Sequence, residues 1–322
     1  MVAACGGKPT PPPEIPVPAQ PPPSTAAAPT PSPAASAPIT LVAASAPETS
    51  APKPVVRFAE GLSTPESVLY DAANDRYLVS NINGSPTGVD NNGYIAELSP
   101  EGKVIQGKFI SGGVKNAKLD APKGMGISKG TLYVADITVV RKFDAKSGAA
   151  QGEIKFPKAT FLNDIAVSSD DKVYVSDSGL KMGKEGLEPD GSDAVYVIEK
   201  GKPKLLAESK ELSGPNGLLS NGKGLLVASF GSDEIYTLDE KGSKGSVTHV
   251  PAGGLDGIVA LGDELIVSSW KGSAVYRGKF GGKFEVVVPG LKAPADIGYD
   301  TKRKRLLVPH FLDSTVEVFD LP

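Results

Sequence analysis

Residues 225–230 read Leu-Leu-Val-Ala-Ser-Phe, and residues 234–238 read Glu-Ile-Tyr-Thr-Leu. Both runs are short and rich in apolar, β-branched or aromatic side chains, and only residues 231–233 separate them. This pattern is typical of two antiparallel strands joined by a tight turn. A turn signal, Glu-Lys-Gly at residues 240–242, follows as it would before a third strand. The segment therefore predicts an all-β unit.

The same pair of runs occurs six times between residue 55 and the last residue, in repeats of about 40 residues. The first runs of the six pairs are residues 77–81, 132–136, 173–177, 225–230, 265–270 and 306–310. The second runs are residues 93–98, 139–143, 194–198, 234–238, 274–277 and 315–319. Short strands in such repeats indicate propeller blades. We predict an all-β, six-bladed β-propeller with four antiparallel strands in each blade.

The two ends of the repeat region complement each other. The chain stops three residues after Phe319, so the sixth blade has no outer strand of its own. Residues 55–61, Val-Val-Arg-Phe-Ala-Glu-Gly, resemble residues 284–290, Phe-Glu-Val-Val-Val-Pro-Gly, which form an outer strand in the fifth blade. We therefore expect the N-terminal strand 55–61 to close the ring of a propeller domain at residues 55–322.

The chain before Val55 has a different composition. It holds 16 of the 29 prolines and no aromatic residue, so residues 6–54 are predicted to be a disordered Pro/Ala-rich linker. Residues 1–5 resemble the lipobox of a bacterial lipoprotein, which implies lipidation at Cys5, a membrane anchor and a place in the periplasm or on the cell surface. Neither a basic segment nor an apolar one precedes Cys5 in this sequence. The alternative is a cysteine that stands there by chance.

The charge of the chain limits its partners. The net charge is −3, and the lysines are scattered over predicted turns. Nucleic acid is therefore not expected as a partner, because phosphate binding requires a clustered basic face. We expect a monomer that takes a small-molecule substrate or a partner in the cell envelope.

Polar residues begin the predicted innermost strand of most blades. The innermost strands of a propeller run parallel to one another, so their first residues should converge on one mouth of the channel. The residues at these positions are Glu66, Asn163, Asn216, Asp256 and Asp296. In four blades the second strand ends 14 residues later, which predicts a second ring made of Asn81, Asp136, Asp177, Phe230, Trp270 and His310.

The predicted mouth carries oxygen ligands and no thiol. Carboxylate and amide oxygens suit a hard divalent cation, for which we expect Ca²⁺, with Zn²⁺, Mg²⁺ or Mn²⁺ as alternatives. A simpler interpretation remains open, since Asn216-Gly217 and Asp256-Gly257 are dipeptides that are common in turns. Among the residues of the two series, Asp177, Trp270, Asp296 and His310 are predicted to contact the substrate.

The series resembles the regucalcin/gluconolactonase family of six-bladed propellers over most of residues 55–322. The resemblance rests on Glu66, on Asn163 in Asn-Asp, on Asn216 in Pro-Asn-Gly and on Asp256 in Asp-Gly. It implies that Glu66, Asn216 and Asp256 hold a divalent cation together with Asn163, which also contacts the substrate. It further implies that Asp256 is the catalytic base that hydrolyses a lactone.

The chain departs from the family pattern at two places. Ser67 follows Glu66 where the family carries Gly-Pro, and Phe161 stands where the family has an arginine. These departures imply a substrate other than the family's usual sugar lactone. The leading hypothesis is a metal-dependent hydrolase of the lactonase or esterase type. The alternative is a non-catalytic propeller scaffold outside the cytoplasm that binds a protein or a glycan.

Overall fold

Six four-stranded antiparallel sheets make up the fold, in a computed structural model that describes residues 52–321. The predicted all-β, six-bladed propeller is therefore confirmed. Cys5 and most of the predicted linker lie outside the described residues. No helix within residues 52–321 has the length and apolar character needed to cross a membrane.

In the first three blades the strands follow one another in chain order from the channel outward. Blade 1 contains β2 (Pro65–Asp71), β3 (Arg76–Asn81), β4 (Tyr94–Leu98) and β5 (Val104–Ser111). Blade 2 contains β6 (Pro122–Ser128), β7 (Thr131–Asp136), β8 (Val139–Asp144) and β9 (Ala150–Lys155). Blade 3 contains β10 (Leu162–Val167), β11 (Val173–Asp177), β14 (Ala194–Glu199) and β15 (Lys202–Glu208). Its central turn carries an additional two-stranded ribbon, β12 (Leu180–Met182) and β13 (Leu187–Pro189).

The next blades follow after a short 3₁₀ helix at Lys210–Leu212. Blade 4 contains β16 (Pro215–Ser220), β17 (Gly224–Ser229), β18 (Glu234–Asp239) and β19 (Lys244–His249). Blade 5 contains β20 (Leu255–Leu261), β21 (Glu264–Ser269), β22 (Ala274–Gly278) and β23 (Phe284–Pro289). Blade 6 contains β24 (Gly298–Asp300), β25 (Arg305–His310), β26 (Thr315–Asp320) and the N-terminal β1 (Val56–Phe58).

The ring closes through the N-terminal strand, as predicted. In β1, Val56 pairs with Val318 and Phe58 pairs with Val316 of β26, so the first strand is the outer strand of the last blade. The strand covers residues 56–58 of the predicted 55–61, and the chain turns at Gly61, which has a φ of +71°. β1 covers the edge of β26 and gives blade 6 the four strands that the other blades have.

The core lies between neighbouring blades. Six apolar clusters occupy the six interfaces, and the second strand of each blade contributes to the cluster on either side. Large side chains such as Tyr77 and Phe319 are almost fully buried there. Each contributes about 1.5–3 kcal/mol of hydrophobic stabilisation. The ring is thus held together by contacts between blades, which fixes the inner strands around the axis.

Two glycines permit this close packing at the axis. A Cβ at Gly217 would lie 2.1 Å from the carbonyl oxygen of Asp256, and one at Gly257 would lie 2.2 Å from the backbone nitrogen of Ile297. Neither glycine is among the residues with positive φ. The turn interpretation of Asn216-Gly217 and Asp256-Gly257 is therefore wrong, because these glycines stand where inner strands touch.

Candidate functional site

The inner strands of five blades bulge at equivalent positions. In β2, β6, β10, β16 and β20 the register with the second strand shifts immediately after the first paired residue. A bulge bends a strand and redirects its side chains. The residue after the first paired one in these five strands, together with Asp296 just before β24, gives an inner series of Glu66, Lys123, Asn163, Asn216, Asp256 and Asp296.

Four members of this series share an unusual property. Glu66 Oε2, Asn163 Oδ1, Asn216 Oδ1 and Asp256 Oδ1 are buried oxygens without a hydrogen-bond partner. All four residues line one cavity of about 190 Å³. Buried polar atoms are nearly always paired, so four orphaned oxygens at one cavity require an explanation such as an ion or a ligand.

Neighbouring groups fix the orientation of two of these side chains. The amide nitrogen of Asn163 donates to Ser178 Oγ at 3.0 Å, and that hydroxyl donates to the carbonyl of Pro215 at 2.9 Å. Trp270 Nε1 donates to Asp256 Oδ2 at 2.7 Å. In Asn163 the nitrogen is bonded and the oxygen is left available, and in Asp256 one oxygen is bonded and the other is left available.

Carboxyl groups are concentrated around the cavity. Burial raises the pKa of Glu66 well above its ordinary value, and repulsion from Asp256 and Asp296 raises it further. Burial also raises the pKa of Asp256 to about 7 and that of Asp164 to about 6. Four carboxyl groups at one centre, three of them buried and that of Asp296 partly buried, cannot all be ionised at low cost unless a cation compensates them.

Lys123 is a buried cation beside these carboxyl groups. Its Nζ donates to the carbonyls of Pro86 and Ala121 at 3.0 and 2.9 Å, and lies 4.4 Å from the centroid of the Phe161 ring. Burial lowers its pKa to about 8, against the attraction of Glu66. No role for Lys123 was predicted from the sequence, although it stands at the blade 2 position equivalent to Glu66.

In four blades the predicted second-ring residue lies one position before the equivalent of Phe230 and Trp270. The six second strands end at Asn81, Asp136, Asp177, Ser229, Ser269 and His310. The residues that follow these ends are Ile82, Ile137, Ser178, Phe230, Trp270 and Phe311. Four of the six, Ile82, Phe230, Trp270 and Phe311, line the cavity. The sequence prediction mixed members of the two sets, and a shift of one residue along a strand moves a side chain to the opposite face.

The polar residues at the strand ends bind the backbone instead. Asn81 accepts a hydrogen bond from the Ser63 nitrogen, and Asp136 accepts bonds from the nitrogens of Asp120 and Ala121. Both therefore hold the segment that enters the innermost strand of their own blade.

Three predicted substrate contacts lie away from the cavity wall. The Asp177 carboxylate accepts hydrogen bonds from the backbone nitrogens of Thr160 and Phe161. His310 Nε2 lies 3.2 Å from Glu317 Oε2, in a separate surface depression near the outer strand of blade 6. Asp296 is central but accepts a hydrogen bond from Ser67 Oγ. Of the predicted contacts, only Asn163 and Trp270 line the cavity.

The donor set at the cavity can be compared with what a cation needs. Within residues 52–321, no three His, Cys, Asp or Glu side chains are grouped so as to hold a metal by themselves. The four orphaned oxygens come from two carboxylates and two amides. All four are hard oxygen donors of the kind that Ca²⁺ takes in proteins. The residues therefore fit a hard cation whose shell includes amide oxygens and water.

Fold and site together describe a six-bladed propeller with a polar centre at the bottom of one cavity. No protein-family model matches the chain, and no curated protein matches it either. Among solved structures, a gluconolactonase from Xanthomonas campestris is 18% identical with a TM-score of 0.61, and the match covers 81% of this chain and 87% of that one. The chain thus resembles gluconolactonases in its fold, as the sequence predicted.

Lyases with the same fold match as well. A streptogramin B lyase is 13% identical with a TM-score of 0.57, covering 83% of this chain and 96% of that one. A virginiamycin B lyase from Staphylococcus aureus, in a catalytically inactive form with one histidine changed to alanine, is 14% identical with a TM-score of 0.56, covering 83% and 98%. At these identities the comparisons show the fold and no shared activity.

Proposed function

We propose that this propeller is a divalent-cation-dependent hydrolase that opens a small lactone or ester. The observation that carries the proposal is the set of four orphaned oxygens on Glu66, Asn163, Asn216 and Asp256 at one cavity. The same four residues match the ligand pattern of the regucalcin/gluconolactonase family. A histidine-dependent lyase is less well supported, because no histidine of residues 52–321 lines this cavity.

A cation held by Glu66, Asn163, Asn216 and Asp256 would polarise the carbonyl of the ester and favour attack by water. The chain's own residues provide the rest of the chemistry. Asp256 is the proton acceptor: Trp270 holds its Oδ2, so the carboxylate keeps one orientation towards the cavity. A carboxylate in a buried, aromatic setting is a stronger base than one in water.

Asn163 and Lys123 position the substrate in this proposal. Asn163 is held by Ser178, so its carbonyl oxygen is presented to the cavity in one rotamer. Lys123 uses two of its three N–H groups on backbone carbonyls, which leaves one for an oxygen of the substrate. The surrounding apolar wall excludes water and strengthens these interactions.

Metal content and lactone hydrolysis in the same preparations test the proposal. We expect the purified protein to bind Ca²⁺ and to hydrolyse δ-valerolactone, and chelation to abolish the hydrolysis. Asp256→Ala should lower kcat by roughly 10²–10⁴-fold, which is the usual contribution of a general base. Glu240→Gln, at an exposed ion pair with Lys172, is the matched control and should leave kcat unchanged. Equal rates for wild type and Asp256→Ala would overturn the proposal and favour a non-catalytic binding module.

A further inference from the structure

The wall of the cavity is apolar above its polar floor. Ile82, Phe230, Trp270 and Phe311 come from equivalent positions in blades 1, 4, 5 and 6, and all of them line the cavity. Three of their rings form a continuous arc, since the centroids of Phe230 and Trp270 are 5.7 Å apart and those of Trp270 and Phe311 are 5.2 Å apart. A ligand above the four oxygens therefore meets aromatic and aliphatic carbon.

The ribbon of blade 3 adds a second apolar surface. In β12 and β13, Leu180 pairs with Pro189 and Met182 pairs with Leu187, so these four residues share one face. The opposite face carries Lys181 paired with Glu188. Leu180 and Leu187 line the cavity, while Met182 and Leu187 are 49% and 40% exposed. The ribbon thus presents an apolar face to the cavity and a charged face away from it.

Hydrogen-bond donors are scarce on this wall. On the wall, Trp270 Nε1 is occupied by Asp256, and the other side chains are apolar. The amides of Asn163 and Asn216 lie at the floor, where Ser178 occupies one of the two N–H groups of Asn163. Lys123 retains one N–H group beyond the two that bind backbone carbonyls. A sugar lactone carries several hydroxyl groups, and each one buried against carbon without a partner costs free energy. The wall therefore disfavours polyhydroxylated ligands.

We propose that the ligand of this site is a small ester or lactone with an apolar alkyl or aryl substituent. The substituent lies between the aromatic arc and the apolar face of the ribbon, and the ester group lies at the four oxygens. The assignment of the ester group rests on the proposed function, whereas the apolar substituent rests on the wall alone. The cavity of about 190 Å³ is smaller than the roughly 300–1,000 Å³ of typical drug-sized sites, so the substituent is short.

Trp270 makes the test direct, because it is the only tryptophan of the chain and lines the cavity. Its fluorescence can be titrated with δ-valerolactam, a non-hydrolysable analogue of the lactone, and with derivatives that carry progressively longer alkyl chains. We expect the affinity to rise about fourfold for each added methylene until the cavity is full. A polyhydroxylated lactam should bind more weakly than δ-valerolactam. Tighter binding of the hydroxylated lactam, or no dependence on chain length, would overturn the inference.

Two variants of the ribbon test its part in binding. Replacing both Leu180 and Leu187 by serine should largely remove the gain per methylene, with an unchanged circular dichroism spectrum. Glu188→Gln, on the charged face of the same ribbon, is the control and should keep the gain. An equal gain in all three proteins would overturn the role of the ribbon.

The outcomes separate this inference from the proposed function. If alkyl lactams bind in a chain-dependent way but no lactone is hydrolysed with Ca²⁺, the apolar site stands and the hydrolase fails. If only a hydroxylated lactone is hydrolysed, the hydrolase stands and the apolar substituent is wrong.

Discussion

The indole nitrogen of Trp270 donates a hydrogen bond of 2.7 Å to Oδ2 of Asp256. This bond joins the aromatic wall of the cavity to its polar floor, because Trp270 also packs against Phe230 and Phe311. The carboxylate therefore cannot rotate freely, and its Oδ1 remains without a partner. The wall and the floor of the site are coupled through one side chain.

Trp270→Phe should keep an aromatic ring in the wall and remove the N–H group that donates to Asp256. A hydrogen bond to a charged group contributes about 1.5–3 kcal/mol, so we expect kcat for lactone hydrolysis to fall roughly tenfold to hundredfold. The melting temperature should stay close to that of the wild type, because an aromatic ring still packs against Phe230 and Phe311. Phe230→Leu removes a ring from the same wall without touching Asp256, and it should affect kcat far less. Similar losses of kcat in both variants would contradict a specific role for the hydrogen bond.

Ser178→Ala should release Asn163 from its fixed orientation. Ser178 Oγ accepts from the Asn163 amide and donates to the carbonyl of Pro215, so the variant frees the amide to rotate. Residues that orient the ligands of a metal typically affect its affinity by about 10- to 100-fold. We therefore expect the Ca²⁺ dissociation constant, measured by calorimetry, to rise by at least about tenfold.

Ser192→Ala is the control for this prediction, since Ser192 Oγ bonds to Thr160 Oγ1 in the same blade and not to a predicted ligand. It should leave the Ca²⁺ affinity unchanged. An unchanged affinity in Ser178→Ala would show that Asn163 does not need this bond.

Gly257→Ala tests why glycine follows the predicted ligands. A Cβ at this position would lie 2.2 Å from the backbone nitrogen of Ile297, so the inner strands of blades 5 and 6 would have to separate. We expect the free energy of unfolding, measured in urea, to fall by about 3 kcal/mol or more.

Gly262→Ala provides the contrast, because Gly262 is a turn glycine with a φ of +63° and open space around it. That variant should lose only about 1–2 kcal/mol, the cost of a left-handed conformation. Equal losses at the two positions would restore the turn interpretation for Asp256-Gly257.

The fold was predictable from sequence because it depends on features that a single chain displays. Six apolar runs such as residues 225–230 recur at intervals of 40 to 55 residues, and the strand that closes the ring resembles a strand of the fifth blade. The inner series was predictable for a similar reason, since strand starts such as Pro215-Asn216 mark where the chain reaches the axis. The repeat and its turn signals therefore predict the topology and five of the six inner positions, while the resemblance to the regucalcin/gluconolactonase family singles out the four residues with orphaned oxygens.

The second ring was not predictable to the residue. Asp177 and Trp270 looked equivalent because both are distinctive residues at the end of a second strand, yet Asp177 aligns with Ser269 and Trp270 aligns with Ser178. Only the pairing register reveals this offset, and register is set by bulges that leave no clear signal in one sequence. Lys123 was not predicted for a different reason: in a sequence, a buried lysine at an acidic centre cannot be distinguished from an ordinary surface lysine.

The metal-free protein should lose stability as the pH rises through the neutral range. Burial raises the pKa of Asp164 to about 6 and that of Asp256 to about 7, both from an ordinary value of 3.8. Acids with a raised pKa bind more protons in the folded state than in the unfolded state, so the free energy of unfolding falls with rising pH. The decline from these two groups should begin near the unfolded-state pKa of about 4 and be complete above about pH 7. Glu66 and Asp296, whose pKa values burial also raises, extend it to higher pH.

Urea unfolding in the presence of a chelator, at several pH values across this window, measures the decline. Asp256 alone accounts for at most about 4 kcal/mol, and Asp256→Asn should flatten the curve by removing that titration. Saturating Ca²⁺ should reverse the trend for the wild type, because a cation at the centre favours the ionised carboxylates and binds only the folded state. A metal-free protein with the same free energy of unfolding at both ends of the window would contradict the acidic centre. If the acids were only buried in their neutral form, Ca²⁺ would not reverse the trend. The reversal therefore tests whether a cation binds at these oxygens.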